Sequence, residues 1–144
     1  MSQPYILCPA TGSDPADEWH RLGLESQVAG NLPQAQQRYG QALRLDPRHA
    51  LATMNLAVIF AQSSLLNEAL LTIERAAMLD SQHGIIHTNW ALMSLEADRI
   101  DDALREARRA VELAPDVPSW MVLAMICATA GIPSEAVPLY NKIL

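Results

Sequence analysis

Residues 35–47 read AQQRYGQALRLDP, residues 69–81 read ALLTIERAAMLDS and residues 103–115 read ALREARRAVELAP. The three stretches stand 34 residues apart, with Ala35, Ala69 and Ala103 in one column and Ala42, Ala76 and Ala110 in a second. One helix earlier, Leu22, Leu56 and Trp90 keep the same interval. A fixed interval of this size marks a stacked array, in which each repeat offers the same buried face to its neighbour. Small residues in the alanine columns let helix backbones approach closely. A bulky side chain there would overpack the contact.

Outward from these stretches, each repeat reads as two amphipathic helices. Asp14 and Pro15 supply an N-cap and a proline at the first helical position. Trp19, Leu22 and Val28 then recur at helical spacing as far as Gly30, a left-handed terminus. The second helix starts at about Pro33, turns Ala35, Tyr39, Ala42 and Leu43 inward, and stops at Asp46-Pro47. Pro47 has no N–H and disfavours helical geometry in Asp46, so it separates repeats. In the last repeat Pro138 removes one ladder bond, which predicts a kink or a short, loosely docked helix.

Composition agrees with an all-α chain. Half of the 144 residues are apolar, drawn from Ala, Leu, Ile, Val and Met, with one Phe, three Tyr and three Trp. The net charge of −6, from ten basic against sixteen acidic residues, argues against nucleic acid, which needs clustered cations to displace counterions. Arg105, Arg108 and Arg109 are interleaved with Glu106 and Glu112 and read as a solvated ion-pair face. Cys8 and Cys127 are too far apart in sequence and too few for a disulfide framework and read as free thiols, which favours a cytoplasmic setting. The N-terminus lacks the basic region of a signal peptide, and no apolar run approaches the roughly 20 residues of a membrane span.

The arrangement Trp19, Leu22, Gly23, then Ala35, Tyr39, Ala42, then Pro47 closely resembles the tetratricopeptide repeat (TPR). The resemblance places repeats at about residues 16–49, 50–83, 84–117 and 118–144, with residues 1–14 as an N-terminal extension to a single array over 15–144. The fourth repeat reads as one residue short in its first helix, because Ala136 and Tyr140 fall one position early. The implied fold is all-α: a right-handed α-α superhelix, or TPR solenoid, of antiparallel helix hairpins. It resembles the TPR domains of bacterial adaptor proteins and of O-linked N-acetylglucosamine transferase-like proteins. The extension reads as a flexible leader or as an extended segment lying on the array.

In this family the first helices line a concave face. The resemblance implies a peptide-binding groove formed by Arg21 and Leu24, by Met54, Asn55 and Val58, by Thr88, Asn89 and Leu92, and by Val122 and Ile126. Asn55 and Asn89 stand one repeat apart and would form two rungs of an asparagine ladder, with Arg21 and Leu123 in the flanking places. A side-chain amide donates and accepts, so it matches an extended backbone without reading its sequence. The expected function is a protein- or peptide-binding scaffold, not an enzyme. The alternatives are the recognition domain of a larger enzyme such as a glycosyltransferase, or an array that self-assembles through its uncapped last repeat or its leader.

No chemistry emerges beside this. His83 and His87 straddle a helix start and read as surface residues, with no third metal ligand near in sequence. The six glycines are scattered and build no phosphate loop, so no cofactor is expected. Ser63-Ser64 reads as an inter-helix cap. Asp17-Glu18 and Asp101-Asp102 sit in first turns, where they complement the helix dipole.

Overall fold

The computed structural model describes residues 5–144. Among them stand eight α-helices and no strand: α1 Pro15–Val28, α2 Leu32–Leu45, α3 Ala50–Gln62, α4 Leu66–Leu79, α5 Gly84–Glu96, α6 Ile100–Leu113, α7 Val117–Thr129 and α8 Pro133–Ile143. The expected all-α class and the helix hairpins are present. The chain divides after Ser81 into two compact units, one holding α1 to α4 and the other α5 to α8.

In the first unit α1 pairs with α2 and α3 with α4, while α3 also packs on α1 and α2. Asp14 caps α1 by accepting from the Asp17 N–H at 2.9 Å, with Pro15 just inside. Asn31 caps α2 through Gln34 N at 3.2 Å. A histidine caps α3: His49 Nδ1 accepts from Ala52 N at 3.1 Å. The alanine columns lie where their size predicts, with Ala35, Ala42, Ala69 and Ala76 all fully buried. Tyr39 is fully buried against α1, and a Cβ on Gly23 would stand 2.7 Å from its ring. Gly23 is therefore glycine because of close approach rather than backbone twist.

In the second unit α5 pairs with α6 and α7 with α8, while α7 also packs on α5 and α6. Ala103 and Ala110 are buried as in the first unit. A Cβ on Gly84 would meet the Ala114 methyl at 2.8 Å, so the start of α5 presses on the end of α6. Asp116 and Ser119 form a capping box at the head of α7, and the Ser119 hydroxyl donates to Ala114 O at 2.6 Å.

Three expectations need correction and a fourth is met in part. The buried side of α1 is not Trp19, Leu22 and Val28, which are 36%, 37% and 73% exposed. It is Ala16, His20, Gly23, Ser26 and Gln27, because Tyr39 and α3 lie on that side. Trp19 instead lines a surface cleft with Gln34, Arg38 and Arg44. Ser63 and Ser64 do not cap α4; Ser63 ends α3 and Ser64 adopts a left-handed φ of 63°. The helix α8 is short as expected, at 11 residues against 14 in α2, α4 and α6, but it runs on through Pro138.

The last correction is one of register. Left-handed residues end the first helix of every repeat: Gly30, Ser64, Asp98 and Gly131. The first three keep the 34-residue interval and the fourth comes one residue early. The missing residue is not in α7, which has 13 residues like α3 and α5. It is lost from the turn between α6 and α7, where the C-cap Ala114 and N-cap Asp116 stand closer in sequence than Asp46 and His49 or Asp80 and His83. Val122, not Leu123, therefore aligns with Arg21, Asn55 and Asn89. Ile126 aligns with Ile59 and Met93, and all three are core residues.

Candidate peptide-binding face

The inner side of α1 and α3 is built from polar residues held by one another. His20 is fully buried, with its ring 5.5 Å from Tyr39 and 5.0 Å from His49. Since His49 Nδ1 accepts from α3, its Nε2 carries the proton and donates to Asp17 Oδ1 at 2.7 Å. Burial chiefly, and then the neighbouring His49, lower the pKa of His20 to about 4. Neutral His20 accepts at Nε2 from the Asn55 amide, 2.8 Å away. Among the described residues, His20 Nδ1 and Asn55 Oδ1 are buried without a partner. Behind them the Tyr39 hydroxyl donates to Gln27 at 2.7 Å, and Gln27 donates to Gln62 at 3.0 Å. Burial pushes the Tyr39 phenol up from its ordinary value.

The residues expected to line a groove in this unit fall into two groups. Met54, Asn55 and Val58 are fully buried. Arg21 and Leu24 keep partial exposure. Arg21 and Asn55 both hold the main chain of the N-terminal segment. Arg21 Nη1 donates to Ala10 O at 3.3 Å and to Gly12 O at 2.5 Å, and Asn55 Nδ2 lies 3.4 Å from Cys8 O. Arg21 also pairs with Glu18 on its own helix. Ala10 is buried, and a Cβ on Gly12 would collide with the Asp17 carboxylate. Of the extension, residues 1–4 lie outside the described residues; the later part is seated on this face.

In the second unit Thr88, Asn89, Leu92, Val122 and Ile126 are all buried. The Thr88 hydroxyl donates to Gly84 O at 3.1 Å within its own helix. His87 is not a surface residue: it is buried on α5, with Nδ1 2.8 Å from Glu106 Oε2 on α6, and stacked against Trp90 at 6.2 Å. The arginines of α6 form the expected surface ladder, Arg105 to Asp102 at 3.0 Å, Arg109 to Glu112 at 3.2 Å and Arg108 to Glu135 at 2.7 Å. Glu106 joins that ladder to the core, pairing through Oε1 with Arg105 at 3.2 Å while Oε2 meets His87.

Cys8 and Cys127 are both free, and burial raises the pKa of each thiol. Among the described residues no three His, Cys, Asp or Glu side chains are grouped to hold a metal ion. No helix there is long and apolar enough to cross a membrane.

Helix hairpins stepping by 34 residues, with alanine at each close contact, define a repeat-scaffold protein. The tetratricopeptide repeat family profile matches residues 20–83 and 89–144, and the chain belongs to that family. No curated protein matches it by sequence. Several solved structures share the fold. PilF from Pseudomonas aeruginosa superposes with a TM-score of 0.84 at 26% identity, over 90% of this chain and 60% of that one. YrrB, described as a TPR protein with an unusual peptide-binding site, gives 0.73 at 21% identity over 87% and 65%. The first TPR of Spaghetti (RPAP3), bound to the HSP90 peptide SRMEEVD, gives 0.76 at 16% identity over 81% and 95%.

Proposed function

We propose that the chain is a peptide- or protein-binding module that works through the faces of its first helices and carries no catalysis of its own. The observation behind this reading is the pairing of Arg21 and Asn55 with main-chain carbonyls of residues 8, 10 and 12. Donors on successive first helices match the acceptors of a bound chain whatever its side chains. The peptide sites of YrrB and RPAP3 support the same use of the fold. The guest favoured here differs from SRMEEVD. The one arginine on this face already serves Glu18, which leaves little positive charge for an acidic tail.

The polar cluster supports binding rather than turnover. Asp17 and His49 resemble an acid–base pair, yet both His49 nitrogens are engaged, one by Asp17 and one by the amide of Ala52. A histidine with no free basic nitrogen cannot take a proton from a substrate. His20, its pKa lowered to about 4, accepts its hydrogen bond from Asn55 rather than from a nucleophile.

An array of varied short peptides, probed with the intact chain and with an Asn55→Ala, Asn89→Ala double variant, tests the reading. The intact chain is expected to retain a subset of peptides that the variant binds about tenfold more weakly, roughly 1.4 kcal/mol. The same pattern from both, at equal helix content, rejects it.

A further inference from the structure

We infer that the α1/α3 face reads an extended peptide by its main chain, and that residues 8–12 are its resident ligand, held in cis, which an incoming peptide must displace. This rests on the peptide-binding reading and names the ligand's shape and its competitor.

Three observations carry it. First, the captured carbonyls come at every second residue, Cys8, Ala10 and Gly12. The chain is extended from Cys8 to Ala10 and then bent, so that one Arg21 nitrogen takes both Ala10 O and Gly12 O. Successive groups of an extended chain point to opposite sides, so only every second carbonyl faces one wall. Second, the spacing fits the scaffold. Arg21 and Asn55 occupy the same place in consecutive repeats, on helices packed together. Packed helices lie about 8–10 Å apart, and an extended step of two residues, about 6.6 Å, bridges them together with the reach of the long Arg21 side chain. The segment moves from Arg21 to Asn55 between Ala10 and Cys8.

Third, the seat selects for small residues. Ala10 is 7% exposed, so its methyl fills its place. Gly12 lies against the Asp17 carboxylate, whose other oxygen is held by His49, so a Cβ there would have to push the carboxylate off His49. The preferred guest is thus an extended segment with a small residue two positions before a glycine. Pro9, exposed between the contact points, fixes its own φ and biases Cys8 towards extended geometry. That lowers the ordering cost of the resident segment. A tethered ligand also acts at an effective concentration on the order of millimolar, so a free peptide of equal affinity competes poorly.

The test uses a fluorescein-labelled peptide of residues 5–13, YILCPATGS, titrated under reducing conditions. It is added to the intact chain, to the intact chain carrying Gly12→Val, and to a chain starting at Ser13. The two altered chains are expected to bind at least about tenfold more tightly than the intact one, and Arg21→Ala in the Gly12→Val background to abolish the gain. Equal affinity in all three overturns the resident ligand while leaving peptide binding in place. No binding to a helical shortened chain, or to Gly12→Val, overturns both. Should shortening cost helix content, Gly12→Val alone decides, because it keeps every residue of the scaffold.

Discussion

Arg21 and Asn55 stand one repeat apart, on α1 and α3, and both donate to main-chain carbonyls of one N-terminal segment. Asn55 does a second thing that Arg21 does not: its amide also donates to the buried Nε2 of His20. The same side chain therefore belongs to the core and to the binding face.

Asn55→Ala is accordingly expected to lower stability as well as peptide affinity. Removing the amide leaves a buried imidazole nitrogen without its donor, at about 1–3 kcal/mol. Urea unfolding of the variant against the parent measures this. An unchanged midpoint would show that His20 finds another partner or water.

His20 makes stability depend on pH. Its pKa is lowered to about 4 in the folded chain and stands near 6.5 when unfolded. The unfolded state thus takes up the proton first as pH falls. Stability is fully present above roughly pH 6.5 and declines towards about pH 4, by at most about 3 kcal/mol. Denaturation at pH 7 and pH 4.5, repeated on His20→Gln, separates this contribution from that of the acidic residues. A slope that survives the substitution unchanged would assign it elsewhere.

Two glycines on paired helices should respond in opposite senses to the same change. Gly23→Ala sets a methyl 2.7 Å from the Tyr39 ring and is expected to cost about 1–3 kcal/mol. Gly40, inside α2, has nothing within 4 Å of where a methyl would stand, and Gly40→Ala should stabilise by about 0.5–1 kcal/mol through helix propensity. Thermal melts of both variants are sufficient.

Ala76→Phe tests the alanine columns. Ala76 has no exposed surface on α4, so a ring there must push neighbouring helices apart, at about 1–3 kcal/mol or more. Gln36 lies outside both columns, on the exposed side of α2, so Gln36→Phe serves as the control, with little change expected. Equal melting temperatures for the two variants would remove the register on which the fold rests.

Much of the hairpin architecture was legible in the sequence because its causes are local. Asp14, Pro15, Gly30 and Pro47 act on their own turns, and the alanine columns repeat at the interval that stacking demands. The polar interior was not legible. Trp19 and Leu22 look like a buried stripe, yet α1 turns His20 and Gln27 inward, since their hydrogen bonds to Asn55, Tyr39 and Gln62 come from other helices. His87 likewise reads as surface until Glu106 on α6 is placed beside it.

By itself the sequence determined that this is a TPR chain of helix hairpins, where the first hairpin begins and ends, and which small residues must sit at the contacts. Those properties follow from near-neighbour sterics and a strict period. Tertiary structure alone decided that residues 8–12 lie on the α1/α3 face, that one residue is lost before α7, and that histidines belong to the core. Each of these depends on groups far apart in the chain, and periodicity carries no record of which polar atoms will satisfy one another.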